Sequence, residues 1–254
     1  MISHGNVLGT RVNAVDLNAS LESVVSWIEG RKQTYICVVP AHTVMECSAD
    51  PELRNIVNAS GLATPDGMSI VWLLKLQGHS RVGRVYGPDL MLAVCRTGLP
   101  RSWRHFFYGG RPGVAQSLAD RLTGRLPGLL VAGTYTPPFR PITEQEDQEI
   151  IRTINASGAD IVWIGLSSPK QEYWMAEHLG KIDVPVMIGV GAAFDFLSGG
   201  KRQAPRWVQR SGLEWLFRFA SEPRRLWPRY RQYPKFVLLA LAQLMGLKQY
   251  PIDD

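Results

Sequence analysis

Two stretches, DIVWIGL at 160–166 and VPVMIGV at 184–190, limit what this chain can fold into more than any other feature. Each is a short β-branched run with no polar–apolar alternation. A strand of that kind is covered on both faces, as in a parallel sheet flanked by helices. The intervening sequence carries helix signals. At 143–157, Thr143 stands as N-cap with Glu146 three residues on. Over 169–179, Pro169 suits a first helical turn. Further strands are predicted at 35–39, 62–64, 105–108 and 129–134, and further helices over 44–58, 89–97 and 114–126. Strands alternating with helices predict a Rossmann-like α/β fold. Its sheet is mostly parallel, with helices on both faces and ligand sites at the strands' carboxyl ends. The expected organisation is an α/β core over 1–200 and a helical appendage over 201–254.

Charge separates the appendage from the core. The chain carries a net +6, yet residues 201–235 hold ten Lys and Arg against Glu214 and Glu222, a local +8. Such a segment attracts phosphate, whether on a nucleotide, a nucleic acid or a lipid surface. Cys37, Cys47 and Cys95 have no metal-type spacing; Cys37 and Cys95 lie in apolar runs and read as buried thiols in a reducing compartment. The opening MISHGNVLGTRV lacks the apolar core of a signal peptide. The late apolar run at 236–247 is about half of what spans a bilayer.

The stretch TPDGMSIV at 64–71 poses the sharpest question about function, because a carboxylate stands in a tight turn where a helix begins. Asp66 is either a helix cap or a group that takes a proton. GGRPG at 109–113, with Gly110 at its centre, follows a strand and opens a helix, either as a phosphate-binding turn or as a plain tight turn. GVGAAFDF at 189–196 has Gly189 and Gly191 but Phe194 where a dinucleotide fingerprint needs a third glycine. Its Asp195 is either a ribose-hydroxyl acceptor or a turn cap. Gln171 and Glu172 fall near a strand's carboxyl end, Arg84 is a phosphate clamp or a partner for an acid, and His42 lies in the loop after the first predicted strand. There is no HExxH, no His/Cys cluster and no DxD-like acidic pair, so nucleotide phosphates would rely on Arg and Lys.

Taken together, TPDGMSIVW, RVYGPDL, FYGGRPGVA, IGLSSPKQE, GVGAAFDFLSGGKRQAPRW and GLEWLFRFASEPRRL resemble the WecG/TagA/CpsF glycosyltransferases, in order from about residue 35 to about 231. The resemblance implies an inverting transfer from a UDP-sugar donor to a polyprenyl-diphosphate-linked saccharide in cell-surface polysaccharide synthesis. It also implies that no metal or other cofactor is used. By the same carry-over, Asp66 is the general base. Arg84, Gly110, Gln171, Gly191, Asp195, Arg218 and Arg225 face the donor, and His42 is an acceptor-side candidate. The chain departs from the family at VVPAHT, where Pro40 stands near a common Asn, and at Pro228, where an Arg is common and Arg229 follows.

The stretch RRLWPRYRQYPKFVLLALAQLMGLKQY mixes cations, aromatics and an apolar helix, which suits the membrane–water interface. The expected location is therefore cytoplasmic, peripheral on the inner face of a bacterial membrane, with a homo-oligomer as another use of the same run. Three other classes compete. A nucleic-acid binder would stack bases on Trp207, Trp215, Trp227 and Tyr230, although the family resemblance implies no nucleic-acid partner. A NAD-type oxidoreductase would use GVGAAFD. A non-catalytic membrane-docking module would be indifferent to Asp66.

Overall fold

The computed structural model describes residues 2–252. Its elements begin with β1 (His4–Val7), β2 (Thr10–Asn13), α1 (Leu17–Glu29), β3 (Thr34–Val39), α2 (Ala41–Ala49), α3 (Pro51–Ala59), β4 (Leu62–Pro65) and α4 (Met68–Leu76). They continue through α5 (Gly87–Gly98), β5 (Arg104–Gly109), α6 (Val114–Arg125), β6 (Leu130–Tyr135), α7 (Glu144–Ser157), β7 (Ile161–Gly165), α8 (Lys170–His178), β8 (Val186–Gly189) and α9 (Ala193–Leu197). The last four helices are α10 (Arg206–Arg210), α11 (Glu214–Ser221), α12 (Pro223–Tyr230) and α13 (Tyr233–Leu244).

The main sheet has six strands in the order β4-β3-β8-β7-β5-β6. The registers of β3 with β8, β8 with β7, β7 with β5 and β5 with β6 are all parallel. The two strands that constrained the sequence reading lie side by side at its centre. Every residue of β8 and the first four of β7 are buried, whereas β6 at the edge has none buried. The mixed α/β class with helices around a parallel sheet is therefore the observed one.

By contact density the chain forms two compact units. The first gathers the residues up to Ser20, Val38–Tyr86 and the residues from Gln203 onward. The second gathers Leu21–Cys37 and Gly87–Arg202.

In the second unit, α7 starts with a complete capping box: Glu146 N–H donates to Thr143 Oγ1 and Thr143 N–H to Glu146 Oε2. The carboxyl ends of β5 and β7 approach closely. A Cβ on Gly109, at φ +121°, would stand 2.7 Å from the Gly165 carbonyl carbon, and one on Gly165 would strike the Phe194 ring at 2.6 Å. Glycine is needed at both positions because a side chain has no room.

The first unit opens with the antiparallel hairpin β1–β2, which no sequence signal marked. Its two-residue turn is Leu8-Gly9, both in the left-handed region at φ 53° and 84°. Leucine is rare there. It is held because its side chain is 1% exposed, so burial outweighs the local backbone preference. The helix expected over 44–58 is two helices. Asp50 ends α2 and caps α3, accepting from Glu52 N–H and Leu53 N–H, with Pro51 in the first turn. Helix α13 is stitched to the hairpin by one amide: Leu8 N–H donates to Gln243 Oε1, and Gln243 Nε2 donates to Asn6 O.

Candidate active site

Asp66 follows β4 directly, and its N–H donates to Val39 O at 3.1 Å, extending the strand pairing by one residue. Gly67 then turns the chain at φ +86° and serves as N-cap of α4, with no side-chain cap hydrogen bond. The capping alternative for Asp66 is thereby removed. Its carboxylate is turned to Arg84 instead, whose Nε donates to Oδ1 at 3.2 Å. Nothing within 4 Å would meet a Cβ on Gly67, so the backbone beside the carboxylate borders open space.

Arg84 is positioned by the segment that follows it. Val85 N–H donates to Pro65 O at 2.8 Å, which pins 84–86 alongside the end of β4. The guanidinium lies 4.1 Å above the Tyr86 ring, a cation–π contact, and a terminal nitrogen donates to Glu214 Oε2. The two carboxylates thus share one cation from opposite ends of its fork. Burial holds the Glu214 carboxyl above its ordinary range; Arg84 pulls it back and the negative charge of Asp66 raises it further.

Glu214 opens α11, and Arg218 stands one turn later on the same side of that helix. Arg218 lies in the electrostatic reach of Tyr230, Glu214, Tyr86 and Asp66. His42, in the first turn of α2, is kept neutral; burial pushes it down to about 3, and the charges of Arg229 and Arg218 push the same way. Tyr230 and Tyr233 pack at 4.9 Å between ring centroids, with Trp215 edge-on to both. The cluster therefore holds the guanidiniums of Arg84, Arg218 and Arg229 against the carboxylates of Asp66 and Glu214. That excess of positive charge suits an anionic ligand. Arg225 is half exposed and paired with Glu222.

The second unit holds the remaining sequence candidates, and each can be placed. Gln171 is buried at the start of α8, its Nε2 donating to Glu172 Oε1 at 3.0 Å while its Oε1 has no hydrogen-bond partner. A Cβ on Gly191 would stand 3.4 Å from that oxygen and one on Gly189 3.1 Å from Nε2, so the amide packs against the carboxyl end of β8. Ser167, in the loop between β7 and α8, takes a left-handed φ of 68°. Asp195 is ion-paired to Lys201 at 2.8 Å. Gly110 donates its N–H to Gly165 O at 3.1 Å, so that donor is occupied within the turn. Its φ of +77° and the 3.0 Å from its would-be Cβ to Val114 are what require glycine. Among the described residues no group of His, Cys, Asp and Glu is arranged to hold a metal ion.

Sequence reasoning brought Asp66, Arg84, Arg218 and His42 into view, and Arg229 as the cation following Pro228, but missed Glu214 and Tyr86 as members of the same cluster. A signal for Glu214 was present: it stands four residues before Arg218, the spacing that puts both on one helical face.

Comparison with known proteins identifies the family. Residues 5–250 match the profile of the Glycosyl transferase WecG/TagA/CpsF family. Two similar relatives are named N-acetylglucosaminyldiphosphoundecaprenol N-acetyl-beta-D-mannosaminyltransferase. One, from Bacillus spizizenii, is 28% identical over 91% of this chain and 90% of the relative. The other, from Bacillus subtilis, is 24% identical over 92% of this chain and 91% of the relative. With a family match across nearly the whole chain, this chain belongs to the WecG/TagA/CpsF family of glycosyltransferases.

Proposed function

We propose that the chain moves a sugar, with inversion, from a UDP-sugar to a saccharide carried on a polyprenyl diphosphate. The acceptor named in the relatives' titles, N-acetylglucosamine on diphosphoundecaprenol, and their N-acetylmannosaminyl group are the first pair to consider. The observation that carries the reading is the one-sided hold on Asp66. Arg84 engages Oδ1, which leaves Oδ2 as the oxygen to accept a proton. The acceptor hydroxyl gives its proton to Oδ2 as its oxygen attacks the anomeric carbon. The bond from that carbon to the phosphate oxygen breaks, and its electron pair leaves with UDP. Arg218 stabilises the charge developing on the diphosphate, a role that fixed guanidiniums fill without a metal. Arg84, with both ends of its fork on carboxylates, orients Asp66 in this scheme and is not assigned a donor phosphate. His42, neutral beside the arginines, is an acceptor-side hydrogen-bonding group.

The exposed flank of α13 supports attachment to the membrane that carries such an acceptor. Phe236 and Ala240 are buried, while Val237, Leu238, Leu241 and Met245 face outward with Trp227 nearby in sequence. No described helix is long and apolar enough to cross a membrane; in this reading the chain attaches peripherally, through that flank.

The decisive variant is Asp66→Asn, which keeps the shape and removes the base. Transfer should fall by about 10²–10⁴-fold, the usual contribution of a general base. Binding of UDP, followed by calorimetry, should stay within a few-fold of the parent. Retained transfer would remove Asp66 from the base role, and lost UDP binding would move it to the donor side.

A further inference from the structure

Resting on the base assignment above, we infer that Glu214 is a positioning residue for the transfer reaction, acting on Asp66 through Arg84. A guanidinium given wholly to Asp66 would bind both carboxylate oxygens in a bidentate fork and suppress it as a proton acceptor. The geometry here is different. Arg84 presents only Nε to Asp66 Oδ1, and a terminal nitrogen is drawn off to Glu214 Oε2. The side chains are held tightly in place, at 14% exposure for Arg84, 17% for Asp66 and 11% for Glu214. The Tyr86 ring supports the guanidinium from one face.

Glu214 therefore does two things. It fixes the rotation of the Arg84 fork, so that the hydrogen bond to Asp66 is the single one at Oδ1. It also divides the positive charge, leaving Asp66 oriented but not neutralised. Both effects need the negative charge and the reach of a glutamate. A buried carboxylate retained merely for packing would need neither, and burial alone disfavours its charge.

The position of Glu214 adds a consequence for assembly. It is the first residue of α11, in the segment from Gln203 onward, while Asp66 and Arg84 come from the β4 region of the same unit. The base is thus correctly presented only when α11 is docked. An undocked α11 would release Arg84 to close on Asp66 and silence it.

The test compares the parent with Glu214→Gln and Glu214→Asp, using UDP-sugar and a polyprenyl-diphosphate monosaccharide, with UDP affinity measured in parallel. Glu214→Gln removes the charge and should lower kcat by about tenfold or more, with UDP affinity and donor KM within about twofold. Glu214→Asp retains the charge and should recover part of the lost kcat. In the Asp66→Asn background, Glu214→Gln should cost nothing further, because its effect runs through the base. An unchanged kcat in Glu214→Gln overturns the inference, as does an equal loss in kcat and UDP affinity. Should Glu214→Gln fail to fold, the Glu214→Asp split between kcat and UDP affinity decides. The base assignment itself fails separately, through an active Asp66→Asn.

Discussion

Arg84 holds Asp66 by one oxygen only, with Nε 3.2 Å from Oδ1. A lysine at 84 would keep the charge but lose the planar fork that reaches Asp66 and Glu214 together. Arg84→Lys is expected to lower kcat by about tenfold, or about 1.4 kcal/mol, with UDP affinity nearly unchanged. Steady-state kinetics beside UDP calorimetry checks this. A matching fall in UDP affinity would return Arg84 to the donor diphosphate, the role that the family resemblance implies.

Arg218 has the opposite expected signature. It lies near Asp66, Glu214 and His42 but is assigned to the leaving diphosphate. Arg218→Ala should weaken UDP binding by about 1.5–3 kcal/mol, the range for hydrogen bonds to charged groups. The salt dependence of binding should become shallower at the same time. Calorimetric titration at two ionic strengths reads both.

Two glycines separate backbone strain from crowding. At Gly67 the φ of +86° is the sole obstacle to a Cβ, because nothing lies within 4 Å. With ψ at 144° the residue lies outside the left-handed helical region, in backbone space that side chains other than glycine rarely enter, and Gly67→Ala should cost about 1–3 kcal/mol. At Gly165 a Cβ would enter the Phe194 ring at 2.6 Å, and overpacking of that kind costs about 1–3 kcal/mol or more when nothing gives way. Urea denaturation should find both variants less stable than the parent, Gly67→Ala through its backbone and Gly165→Ala through the ring it meets.

These positions also show what was legible in the sequence. The parallel sheet was readable because 160–166 and 184–190 lack alternation, and those residues became the buried central strands β7 and β8. The start of α7 was readable because Thr143 and Glu146 lie three apart, so local chemistry decides it. The β1–β2 hairpin was not readable, since Leu8 adopts its left-handed turn only under tertiary burial. The α2–α3 break was written in Asp50-Pro51 and was overlooked under a continuous helical pattern. Asp66 was legible as a choice between cap and base, and Gly67 as the true N-cap disposed of the first. Glu214 was not legible as its neighbour, because the two stand 148 positions apart and only folding brings Arg84 between them.

Acidification should unfold the protein earlier than its carboxylates alone would require. His105 is fully buried, accepts from Trp163 Nε1 at 3.1 Å, and is lowered by burial from 6.5 to about 4. His42 is lowered to about 3. Both are neutral in the fold at pH 5 and protonated once unfolded. Their contribution to stability is complete above pH about 6.5 and is lost as pH falls from there towards 4 and below. Each histidine contributes a slope of at most about 1.4 kcal/mol per pH unit in that window. Urea midpoints at pH 7.5, 6 and 5 should fall in that order, and a flat series would contradict the neutral buried state.

The central claim is tested most directly by UDP release from UDP-N-acetylmannosamine in the presence of N-acetylglucosamine on a polyprenyl diphosphate, with and without EDTA. The account predicts release that depends on the acceptor, survives EDTA and falls by about 10²-fold or more in Asp66→Asn. Release that needs a divalent ion, or that stays near the parent's rate in Asp66→Asn, would contradict it.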